Sequence, residues 1–111
     1  MTNTFINEGK LLTDADSTVY TCTGAGPPAK QSIVHSCTVS NIHASDPADV
    51  DIKVTTDGGT TYFYVAKNVP VPQGSTLVLD KPIDMTNGDI LQMKSTAVNT
   101  LNTVLGILEI T

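Results

Sequence analysis

The 111-residue chain has no tryptophan and no arginine, and its six cations are all lysines set against eleven acids, a formal net charge of −5. Nucleic-acid partners draw on arginine's planar fork and on positive potential, so this balance argues against nucleic acid and disfavours anionic membrane surfaces. Cysteine is scarce: Cys22 and Cys37 are too few and too far apart for a disulfide framework or a zinc site, which needs paired Cys or His at short spacing. Two reduced thiols are expected, with a staple between neighbouring strands as the alternative. No run approaches the roughly 20 apolar residues of a spanning helix. The opening MTNTFINEGK lacks the basic and apolar regions of a signal peptide, which leads to the expectation of synthesis in a cytoplasm.

Runs of strong helix formers are also missing. Threonine is the commonest residue and Val and Ile are plentiful, a composition suited to pleated, β-branched surfaces. The length fits one domain, residues 1–111, with residues 1–8 as an edge strand or an arm reaching onto a neighbour. The central stretch is QSIVHSCTVSN, residues 31–41, in which alternation places Ile33, Cys37 and Val39 on one face. Residues 17–23 form a strand with Val19 and Thr21 on one side and Tyr20 and Cys22 on the other, ended by the Gly-Pro-rich residues 24–28. The clearest strand is DVDIKVT, residues 49–55, with Val50, Ile52 and Val54 inward and Asp49, Asp51 and Lys53 in solvent. On this register Ile52→Asp is severe and Asp51→Ser nearly neutral. Asp57-Gly58-Gly59 turns the chain into the return strand TTYFYVA, residues 60–66. Pro70 and Pro72 break the ladder, a strand covers residues 75–79, Asn87-Gly88 turns, and a strand follows from Ile90. Residues 97–103 read as an exposed loop before the closing strand, residues 104–110. The whole predicts an all-β, antiparallel sandwich of about eight strands, jelly-roll or immunoglobulin-like.

The residues that could carry chemistry do not converge in the sequence. His35 and His43 would lie about 26 Å apart on one extended strand and could not share a metal ion. Cys37 and His35 fall on one face as a possible nucleophile pair, although a histidine at the rim of the core accounts for the same residues. His43, Ser45 and Asp46 supply the letters of a hydrolase triad within one short turn, where the side chains cannot align as nucleophile, base and orienter. Asp14 and Asp16 are too few oxygens for calcium, and the remaining aspartates read as solvated. No cofactor and no metal site is expected, nor catalysis. What stands out is apolar character on both faces of residues 60–66 and 104–110, which suits packing against another subunit. Phe5, Ile6, Tyr62, Tyr64, Leu108 and Ile110 are the candidate interface residues.

The chain resembles small virion proteins of tailed bacteriophages across nearly its whole length. The resemblance is carried by FINEGKLLTDADSTVYTC, SIVHSCTVSN, the hairpin DVDIKVTTDGGTTYFYVAKNVPVPQGSTLVLDKPI, the NGDIL turn and the ending VLGILEIT. The two cysteines and the GAGPPA loop depart from that pattern. The resemblance implies a non-enzymatic part of the particle, decorating the capsid or belonging to the neck, tail or fibre. Its partners would be other copies of itself, as a trimer or ring, and virion proteins such as the major capsid protein. Its place would be the virion, after synthesis in the host bacterial cytoplasm. A host-surface carbohydrate-binding sandwich is the alternative of another class, weakened by the missing tryptophan.

Overall fold

The computed structural model describes residues 3–24 and 30–110, and among these residues it contains strands and no helix. The strands are β1 (Asn3–Leu11), β2 (Ser17–Thr21), β3 (Gln31–Asn41), β4 (Ala48–Thr55), β5 (Tyr62–Val71), β6 (Thr76–Leu79), β7 (Ile83–Thr86), β8 (Ile90–Ser95) and β9 (Leu101–Ile110). A front sheet runs β1-β9-β3-β6, with β7 also pairing β3, and a back sheet runs β2-β8-β4-β5. Every pairing is antiparallel. The chain changes sheet at each connection except β4 to β5 and β6 to β7. An immunoglobulin sandwich keeps its first two strands in one sheet, whereas here they lie in different ones, so of the two expected architectures this is the jelly roll.

Between the sheets Val34, Cys37, Val39, Leu105 and Ile107 from the front meet Val50, Ile52, Leu91 and Met93 from the back, all fully buried. The hairpin between β4 and β5 forms as its sequence dictates. Gly58 and Gly59 take φ of 80° and 111°, and the Asp57 carboxylate accepts hydrogen bonds from the amides of Thr60 (3.1 Å) and Thr61 (2.9 Å) and from the Thr55 hydroxyl (2.8 Å). These donors hold the Asp57 carboxyl below its ordinary range.

Several expectations need correction, mostly because strict alternation does not allow for bulges. In β3 the register shifts between Val34 and Ser36 opposite Gly106, so His35 is an extra residue. Ile33 therefore faces outward while Val34, Cys37 and Val39 face the core, and His35 is not on the face of Cys37. In β2 a second shift between Thr18 and Tyr20 buries Val19 and Tyr20 together. β5 continues through Pro70, which its position at the sheet edge allows. β9 begins at Leu101 and buries Leu101 and Thr103, so the loop before it is shorter than residues 97–103. The Asn3–Leu11 stretch is an edge strand of its own sheet, paired with β9 along its length.

Asp51 is also more than a solvated charge. Its carboxylate accepts the amide of Asn68 at 2.7 Å, and Asn68 sits at φ 53°, a left-handed conformation next to the β4–β5 register shift. Ile52→Asp should cost about 3–5 kcal/mol, Asp51→Ser about 1 kcal/mol rather than nothing, and Asp49→Asn less than about 0.5 kcal/mol. Thermal and denaturant melts of the three variants check the ranking.

Candidate functional site

The groups that the sequence offers for chemistry are separated or otherwise engaged. His43 Nδ1 accepts the backbone amides of Ser45 (3.1 Å) and Asp46 (3.0 Å), so the imidazole caps its own turn. The Ser45 hydroxyl donates to Asp46 (3.3 Å) and not to the histidine. Cys37 lies in the core, where burial pushes its thiol up to about 11, while His35 stands on the outer face of the front sheet. Cys22 and Cys37 are free thiols. Cys22 Sγ is 3.1 Å from Ser32 Oγ, and Ser32 is five residues along β3 from Cys37, about 16 Å, well beyond disulfide reach. Among the described residues no three of His, Cys, Asp and Glu are grouped to hold a metal ion. Asp16 pairs with Lys53 at 2.8 Å. Asp89, expected in solvent, is buried and accepts the Thr86 amide at 3.0 Å, closing the turn between β7 and β8.

A polar chain that sequence reasoning missed ties the two sheets together at one end. Tyr20 of β2 reaches across the sandwich to Glu109 of β9 (2.5 Å) and Ser32 of β3 (2.7 Å). Lys30 donates to the other Glu109 oxygen at 3.1 Å, and Ser32 meets the Cys22 thiol. Burial and the neighbouring carboxylate push the Tyr20 phenol above its usual range, while its hydrogen bond and then Lys30 hold Glu109 low. The proton therefore stays on Tyr20. The chain's members come from positions 20, 22, 30, 32 and 109, and no spacing in the sequence marks them as neighbours.

The candidate interface residues divide between opposite sides of the molecule. Phe5, Leu108 and Ile110 lie on the outer face of the front sheet, where Phe5, Leu108 and Ile33 form one cross-strand row. Phe5 is 75% exposed and stacks edge-on against His35, their ring centroids 5.9 Å apart. The His35 ring lies over Gly106, where a Cβ would come within 2.8 Å of it and 2.6 Å of Ser36 Oγ. Val104 and Val78, both exposed, flank Thr38 in a second row. Ile6 turns inward and packs against the core. Tyr62 and Tyr64 belong to the back sheet, where Lys53 lies 4.8 Å from the Tyr62 ring centre and Lys67 lies 4.1 Å from that of Tyr64. The two outer faces differ in charge. Asp49, Asp51, Lys53 and Lys94 project from the back sheet, whereas Asp84 is the one formally charged residue projecting from the described strands of the front face.

The GAGPPA departure falls largely on residues 25–29, outside the described residues. No protein-family model and no curated protein matches the chain. Among solved structures the fold is similar to a protein reported as Bacillus endospore appendages forming a novel family of disulfide-linked pili. That match has 13% identity and a TM-score of 0.61, and it covers 99% of this chain and 87% of that one. Two pentameric capsid proteins isolated from metagenomic phage sequences also match, at 22% and 23% identity with TM-scores of 0.45 and 0.39. The matches cover 96% of this chain, which spans 59% and 60% of those proteins. The first of these likenesses supports the sandwich fold.

The polar chain makes stability acid-sensitive. Glu109 is held below its unfolded value, so its contribution is present above the ordinary carboxylate range and is lost as pH falls through the folded value. Tyr20→Phe should cost about 1–3 kcal/mol at neutral pH and flatten the loss of stability below about pH 5. Melts across that range compare the variant with the native chain.

Proposed function

We propose that the protein is a non-enzymatic structural subunit of a bacteriophage virion, acting on the capsid as a decoration protein in contact with copies of itself. The observation that carries the reading is the exposure of large apolar side chains on the front face and along the edge strand β5. Phe5, Val78 and Val104 are exposed on the front sheet, and Phe63, Tyr64 and Val65 on β5. A lone sandwich needs only its inner faces covered, and apolar area left on an outer face and along an edge suits a subunit covered by neighbours. The sequence resemblance to virion proteins of tailed phages supplies the setting, and the neck, tail or fibre is the other place in the particle that the same pattern suits. The Tyr62 and Tyr64 ring faces are already engaged by lysines, which disfavours their use as a sugar-stacking platform.

Immunoelectron microscopy of purified particles tests the reading, with labelling of the head expected. The purified protein should also rebind particles that lack it. Tyr64→Ala should weaken that rebinding by about tenfold or more with little change in melting temperature, as for an aromatic contact at an interface. Absence from particles, or a turnover or sugar-binding activity in the isolated protein, would overturn it.

A further inference from the structure

The front face carries a knob and a hollow in matching positions. Phe5 projects from β1 at one edge of the face. Over β3 and β7, and reaching Ile110 of β9, lies a depression of about 290 Å³ lined also by Gln31, Ile33, Asp84, Met85 and Thr86. Both lie on the same cross-strand row, which reads Phe5, Leu108, Ile33, Asp84 from β1 to β7. A cavity of about 150 Å³ is enough for benzene, so the hollow has room for a phenyl ring. Nothing within one copy can bring them together, since two strands separate them in a rigid sheet.

We infer that the front faces of two copies pack on each other about a two-fold axis parallel to the strands between β9 and β3, Phe5 of each filling the hollow of the other. This axis exchanges the positions of β1 and β7 and those of β9 and β3. Phe5 then falls over the partner's hollow and Leu108 over the partner's Ile33, each contact occurring twice, as in an isologous interface. The strands of the two copies remain aligned, the common geometry for stacked sheets.

Charge selects this pairing over others. Two copies at −5 each repel unless they meet where charge is sparse, and the described strands of the front face project only Asp84. A front-to-back contact would press the row Phe5, Leu108, Ile33 onto the charged side chains of Asp49, Asp51, Lys53 and Lys94, and would strip water from charges with no partner opposite. Four strands about 4.8 Å apart and about nine residues long give a face of about 600 Å², at the lower end of what each member of a specific pair buries. The pairing deepens the assembly reading and rests on its premise that protein covers this face.

The test is sedimentation equilibrium of the purified full chain. The native protein should dimerise in the micromolar range. Phe5→Glu, which would set a carboxylate against the partner's Asp84, should weaken the dimer by about a hundredfold, as expected for losing a central aromatic anchor. Thr86→Lys in the hollow should do the same, whereas Tyr64→Glu on the opposite side should leave the dimer intact. Circular dichroism and melting of each variant establish that it is folded, and two independent lesions guard against one failing to fold. A native chain that stays monomeric at hundreds of micromolar, or equal effects of Phe5→Glu and Tyr64→Glu, would overturn the pairing. Dimerisation without particle binding would uphold the pairing and sink the virion reading. Particle binding by a monomer indifferent to Phe5→Glu would do the reverse.

Discussion

One extra residue in β3 determines what each side of the front sheet presents. Because His35 is bulged out opposite Gly106, the strand changes parity at its middle: Ser32 and Val34 point inward before it, Cys37 and Val39 after it. Without that shift one half of β3 would turn its core residues to solvent. The glycine opposite is part of the same device, since the displaced imidazole needs the space a side chain at position 106 would occupy. The outward placement of Ile33, and with it the row from Phe5 to Asp84, follows from this arrangement.

The same parity brings Ser32 inside, where it can meet Tyr20 from the opposite sheet. A sandwich held only by aliphatic contacts allows its sheets to slide, whereas a phenol fixed between a carboxylate and a hydroxyl has one geometry. Lys30 supplies the countercharge that lets Glu109 sit largely buried. The other end of the sandwich uses a different device: the Asn41 side chain donates to the carbonyls of Asp46 and Val71, both at 2.9 Å, and accepts the His43 amide.

The parts of the fold legible in the sequence were those where local and long-range requirements agree. Residues 49–55 alternate without interruption, and Asp57-Gly58-Gly59 can do little but turn, so that hairpin was readable. Alternation misplaces the faces of Ile33 and Tyr20 because period two does not allow for a bulge, and a bulge is specified by the partner strand: Gly106 lies 71 positions after His35. Asp89 reads from the sequence as a solvated turn residue, yet it is buried and its carboxylate accepts the Thr86 amide of its own turn, a pairing that turn composition does not reveal. Among the candidate interface residues, alternation puts Leu108 and Ile110 on one face of their strand, but it does not say which face is outer, and of the neighbours Phe5 and Ile6 only Phe5 faces outward. That Tyr62 and Tyr64 lie on the opposite side required the strand order, which no local pattern encodes.

The position of β9 has a consequence for how the chain acquires its structure. The last described strand is the middle of the front sheet, paired on one side with the first strand and on the other with β3. During synthesis β1 emerges about a hundred residues before its partner, and β3 about seventy, so both wait with unsatisfied edges while the hairpin of β4 and β5 can close at once. Such distant pairings are slow and leave strands open to the wrong neighbour. A chain interrupted before Leu101 would lack the strand that joins β1 to β3, so the front sheet is complete only once its middle strand has emerged, whatever β3 has already built with β6 and β7.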